Sequence, residues 1–183
     1  MIYFFYTLIV LTMVDGTIID TLNINARDLA ARWKDLIHQA PQLKHYNQLD
    51  DARLIAEGAR IYPLLARTLD RGLDRAALGD FFVRLGKEKM QDNIPVSEAI
   101  YVINLSQQVV IRYIMTDFVL DSTVRMYQAM GVVNKVAEFF LLGCFYLTKG
   151  FLESTYTTMK GADSVSEEFL KKYFRDDFFF KKD

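Results

Sequence analysis

Apolar residues recur at helical spacing along most of this chain, interrupted by a few turn signals. Leu29, Trp33, Leu36 and Ile37 form the first stripe of 3.6-residue period. Asn23 or Asn25 is placed to cap that helix, and Pro41 to stop it near Gln39. Asp50 or Asp51 opens the next helix, whose stripe is Leu54, Ile55, Ile61, Leu64, Leu65 and Leu69. Pro63 falls inside that stripe and is expected to kink or split the helix, because it removes a backbone donor. Arg71-Gly72 closes it. Asp74 then caps a third helix through Leu78, Phe81, Phe82 and Leu85 to about Met90.

A turn at Asp92-Asn93 leads to Pro95, which suits the first turn of a helix. The helix that follows carries Val96, Ala99, Ile100, Ile103, Val110, Ile114 and Phe118. Val102, Leu105 and Val109 widen its apolar arc, which places it centrally in a bundle. Asp121-Ser122-Thr123 offers a cap for a last long helix to about Met159. With no Gly or Pro between, direct continuation from the preceding helix stays open. The run Phe139 to Leu147, FFLLGCFYL, is far shorter than the roughly 20 residues of a membrane span and reads as buried core. Gly143 and Gly150 share one face, where they either admit a close helix or weaken their own. Ser164 with Glu167 resembles a capping box for a short helix ending near Tyr173.

These stripes predict an all-α fold: a single bundle of five to seven helices, with a short C-terminal helix and tail. Three stretches follow, 1–14, 15–160 and 161–183. The first begins MIYFFYTLIVL and has no Lys or Arg before Arg27, unlike a secretory leader. Three readings of it stand: a start placed upstream of a true one at Met13, a buried or partner-facing segment, and a weak membrane anchor.

Composition narrows function mostly by exclusion. The 183 residues are 51% hydrophobic and carry a net charge of −1, so the basic excess of a nucleic-acid binder is missing. Cys144 is the only cysteine, which excludes an intramolecular disulfide and a multi-cysteine metal site and agrees with a reducing cytoplasm. His38 and His45 flank Pro41 and read as surface residues near a helix end, not as haem ligands. Glu-x-x-His pairs for a di-iron centre are absent. Asp50-Asp51 and Asp176-Asp177 read as caps or solvated residues. Ser97 and Ser106 have no base in sight, and no nucleophile elbow, phosphate loop or dinucleotide fingerprint occurs. The expectation is therefore no enzyme, no cofactor and no metal.

Two binding candidates remain. Arg84, Lys87 and Lys89 surround Glu88, and Arg84 with Glu88 is an i,i+4 pair on a solvated face. Arg84 and Lys87, with Tyr101, Asn104 and Arg112 from the next helix, could line an anion or ligand pocket at the Pro95 turn. The alternative makes Tyr101, Asn104, Gln108 and Arg112 simply the solvent side of their helix. Phe178, Phe179 and Phe180 form an apolar triplet between charged pairs, suited to cover a groove of the same bundle or to dock a partner. A homodimer through the last long helices, using the Gly143/Gly150 face, is expected.

Trp33, Leu64 to Leu69, Phe81-Phe82-Val83-Arg84 and the turn Ile94-Pro95-Val96-Ser97-Glu98-Ala99-Ile100 together make a recognisable order. In it the chain resembles the N-terminal domain of the RsbT co-antagonist proteins, the RsbRD type, over about Asn25 to Phe118. The resemblance implies a non-enzymatic helical input domain of bacterial signalling proteins, working through protein–protein contact. It further implies a separate signalling or membrane-associated partner, since only about 20 residues follow the bundle, too few for an output domain. The alternative from another class is a carrier or sensor of a small apolar ligand held between helices.

Overall fold

The computed structural model describes residues 16, 18–117, 123–162 and 165–174, and their regular structure is entirely helical. Residues 18–24 form α1. There follow α2 (Ala26–His38), a 3-10 turn (Tyr46–Gln48), α3 (Asp51–Arg71), α4 (Arg75–Gln91), α5 (Val96–Asp117), α6 (Thr123–Lys160) and α7 (Glu167–Tyr173). The expected all-α bundle with a short last helix is what the chain forms. Residues 1–15 and the Phe178–Phe180 triplet lie outside the described residues.

The first helix starts earlier than its cap signals suggest. Asn25 N–H donates to Thr21 O at 2.8 Å and its own carbonyl accepts from Leu29 N at 2.9 Å, so Asn25 is a joint between α1 and α2. Its side chain makes no capping bond, and Asn23 sits within α1. The reason lies in the stripe, which extends back through Ala26, Leu22 and Ile18, all buried.

The acidic caps fall where the sequence puts them. Asp50 accepts from Arg53 N at 2.8 Å, and Asp74 accepts from Ala76 N and Ala77 N at 3.1 and 3.0 Å. Pro63 does not split α3, which runs through it unbroken. Tyr62, Leu64, Leu65 and Ala66 are buried on either side of it, and this packing outweighs one missing hydrogen bond. Gly72, at φ 87°, ends the helix in a conformation that favours glycine. At the end of α4, Asn93 takes φ 58° and Ile94 N donates to Lys89 O at 3.0 Å. That tight reversal delivers Pro95, whose carbonyl accepts from Ala99 N at 3.0 Å, to the start of α5.

Trp33 is fully buried where α2 meets α3 and α5. Its indole N–H donates to Val102 O at 2.7 Å, and its ring meets Tyr46 edge-on at 6.5 Å between centroids. A β-carbon on Gly58 would sit 2.7 Å from the indole, so glycine makes room for the ring.

α6 is the spine, 38 residues and about 57 Å long. It runs parallel to α4: Gly79 faces Tyr146, Gly86 faces Leu147 and Phe151, and Met90 meets Ser154. The seam is closed backbone to backbone. A β-carbon on Gly86 would lie 2.0 Å from Leu147 O, and one on Gly150 would lie 2.0 Å from Val83 O. Gly143 lies against the Phe82 ring. The close helix admitted by Gly143 and Gly150 is thus α4 of the same chain, and that face is no longer free for a second copy.

α5 and α6 are separate antiparallel helices, since Ile100, Asn104 and Gln107 share a groove with Cys144, Leu141 and Ala137. The cap candidates Asp121 and Ser122 lie outside the described residues. The FFLLGCFYL run is two-sided, not uniformly core: Phe139, Phe140, Gly143 and Leu147 are buried, while Leu141 is 72% and Phe145 48% exposed. The stretch Met126–Lys160 is long and apolar enough to cross a membrane by length and composition, with a third of its most apolar window buried in the bundle. At the C-terminal side Ser166 caps α7, accepting from Phe169 N at 3.2 Å, and the cap candidate Ser164 lies outside the described residues. Leu170 and Phe174 are buried, Phe174 edge-on to Tyr156 at 5.4 Å.

Candidate interaction surface

Two polar knots anchor the start of α5 and the loop before α3. Glu98, in the first turn of α5, is nearly buried. Its carboxylate accepts from His45 N at 3.0 Å and Tyr46 N at 3.2 Å, and lies 2.8 Å from His45 Nδ1. Burial alone would push this carboxyl up. The bonds from His45 and Tyr46 outweigh it and hold the carboxyl below its ordinary value.

The second knot joins three elements. Tyr46 OH donates to Glu57 Oε1 at 3.0 Å, and Lys89 pairs with Glu57 Oε2. Lys89 is 2% exposed, and its ammonium lies 5.2 Å from the centre of the Tyr46 ring. Burial, and then the neighbouring Glu57 carboxylate, push the Tyr46 hydroxyl well above its ordinary value, so it stays a donor. The sequence reading put Lys89 on a solvated face. Its place on the stripe Leu78, Phe82, Leu85, Lys89 was the signal for burial, as was Glu57 between Leu54 and Ile61. Glu88 likewise pairs across helices with Arg60, at 3.1 Å, and not with Arg84.

With α5 pinned in this way, its polar row faces outward. Tyr101 is 41% exposed, and Asn104, Gln108 and Arg112 are exposed along the same side. The Asn104 amide donates to Ile100 O at 2.9 Å. Arg84 is exposed on α4, and Lys87 pairs with Glu153 of α6 at 2.8 Å. Of the five pocket candidates, only Asn104 lines a groove described here. Glu98 and Asp92, which pairs with Arg53, already set two carboxylates at the Pro95 turn, an unfavourable place for a further anion. His38 and His45 are both exposed; His38 bonds Asp51 and Asn47 at 3.0 Å each. Ser106 is fully buried and Ser97 exposed.

The groove lies between α5 and α6 and has a volume of about 630 Å³. Ile100, Asn104 and Gln107 form one wall; Ala137, Leu141 and Cys144 form the other, beside the exposed Glu138. Phe145 continues the exposed row one turn beyond Leu141. Burial raises the Cys144 thiol above its ordinary value, which keeps it an uncharged wall residue. The surface is therefore a groove whose apolar lining is Ile100, Ala137, Leu141 and Cys144, with the Asn104 and Gln107 amides and the Glu138 carboxylate among its walls. The apolar row on α6 was legible in sequence as hydrophobic but was assigned inward. No protein-family model matches the chain, and neither a curated protein nor a solved structure does.

Proposed function

We propose that this protein is a non-enzymatic cytoplasmic regulatory module of bacterial signalling, which acts by protein–protein contact and self-associates through the α5–α6 face. The observation that carries this reading is the apolar groove between α5 and α6, with Leu141 of α6 72% exposed in its wall. Large apolar side chains gathered between polar edges have the anatomy of an interface centre and rim. The resemblance to the RsbRD-type input domain supports it from the sequence side. The Ser97-Glu98 turn, quoted in that resemblance, has a structural use here: Glu98 fixes the start of the helix that forms one groove wall.

The test is the native mass and the ultraviolet–visible spectrum of purified protein at micromolar concentration. The reading expects twice the 21.2 kDa of one chain, with no chromophore or co-purifying lipid. A monomer carrying a bound small molecule favours the carrier reading instead.

A further inference from the structure

The exposed side of α6 is self-complementary about the level of Gly143. Two residues before that level Leu141 is 72% exposed, and two residues after it Phe145 is 48% exposed, its ring edge-on to Tyr146 at 5.2 Å. Nine residues before and nine after stand Asn134, exposed, and Leu152, half-buried. At about 100° per residue these four fall within about 40° of one another around the helix. They lie opposite the buried line of Val136, Gly143, Leu147 and Gly150.

Glu138 and Lys149 sit together on one flank of this exposed line. They are eleven residues apart, about three turns, so they share an angular position with the level of Gly143 between them. Glu138 is exposed and Lys149 half-buried, and among the described residues neither forms an ion pair. Glu153, one turn beyond Lys149, is already held by Lys87 at 2.8 Å.

In a symmetric antiparallel pair of helices, a residue ahead of the twofold axis meets one equally far behind it, and each flank faces its own counterpart. With the axis at the level of Gly143, Leu141 falls on Phe145, Asn134 on Leu152, and the carboxylate of Glu138 beside the ammonium of Lys149. A parallel pair instead sets each of these charges level with its like, and brings no opposite charge into reach.

We propose that two copies of this chain pack α6 against α6 in antiparallel register about Gly143, so that Leu141 of each meets Phe145 of the partner subunit and Glu138 of each pairs with Lys149 of the partner subunit. This rests on the reading that the chain self-associates through the α5–α6 face, and it names the register and the charge pair that set the fit.

Two measurements on the full chain test it. Sedimentation equilibrium reads the dimer Kd. Glu138→Lys or Lys149→Glu alone raises that Kd about tenfold, because each brings like charges together twice in a symmetric interface. The two changes combined return it to within about threefold of wild type, with helical circular dichroism unchanged throughout. The second measurement places a spin label on Gly131→Cys in a Cys144→Ser background; a side chain at 131 meets open space. In the antiparallel dimer the two labels stand about 36 Å apart along the helix axis. A parallel pair brings them to about the 8–10 Å spacing of packed helices. If a charge variant fails to fold, the label distance decides alone. A dimer in which the reversed charges do not rescue each other, or whose labels stand at the short distance, overturns the antiparallel arrangement and leaves the self-association reading standing. A wild-type monomer overturns both.

Discussion

α6 meets α4 on one side and α5 on another, and the two seams are built oppositely. Against α4, Gly86 and Gly150 bring backbone to within contact of backbone, and Phe82 fills the space over Gly143. Phe82, Phe139 and Phe140 lie edge to face along this region at 5.7 and 5.1 Å. Against α5 the helices part into a groove of about 630 Å³ and leave Leu141 72% and Phe145 48% exposed, Phe145 lying edge-on to Tyr146 at 5.2 Å. A single helix thus carries one face closed against α4 and one face that stays largely exposed. Glycine placement decides which is which, because only a residue without a β-carbon allows the closer approach.

Mutations on the two faces should separate cleanly. Phe82→Ala in the closed seam is expected to cost about 4 kcal/mol, measured by urea unfolding, because it empties a fully buried aromatic site. Gly86→Ala should cost about 3 kcal/mol, because its new methyl would meet the carbonyl of Leu147 and no flexible side chain can yield. A loss much below 1 kcal/mol there would mean that the seam is looser than described.

Glu98→Gln should cost about 2 kcal/mol at neutral pH, because it weakens charge-assisted bonds to His45 and Tyr46. The folded carboxyl titrates below its ordinary value of 4.5, so the unfolded chain binds the proton first. The wild-type advantage is therefore full above that value and disappears as pH falls through the lower folded one. Melting curves of both proteins from neutral to acid pH check this; an advantage that persists in acid contradicts it. The smallest effect belongs to the open face. Leu141→Ser should change monomer stability by no more than about 0.5 kcal/mol, as exposed positions do.

What the sequence made legible follows from which forces act locally. Asp50 and Asp74 were readable as caps because a cap is a short-range bond to the next turn. The central place of α5 was readable because Val102, Leu105 and Val109 widen its apolar arc, and all three are buried. Asn25 misled because its capping chemistry competes with a stripe that continues through Leu22 and Ile18, and burial won. Pro63 misled for the same reason. Lys89 was misread because charge was taken as solvation, although it sits on its helix's buried stripe and meets Glu57 across the helices. Leu141 and Phe145 were misread in the reverse sense. Nothing in nine consecutive apolar residues tells which side of the helix has a neighbour; that depends on where the glycines seat α4. The Gly143/Gly150 spacing was correctly seen as permitting close approach, and only the tertiary fold identifies α4 as the occupant.

The central claim is that the open side of α6 is an interaction surface, and sedimentation equilibrium tests it most directly. The wild-type chain at micromolar concentration should sediment at twice 21.2 kDa, and Leu141→Glu with Phe145→Glu should return it to 21.2 kDa with unchanged helical circular dichroism. A wild-type monomer, or a dimer indifferent to both glutamates, would contradict the account.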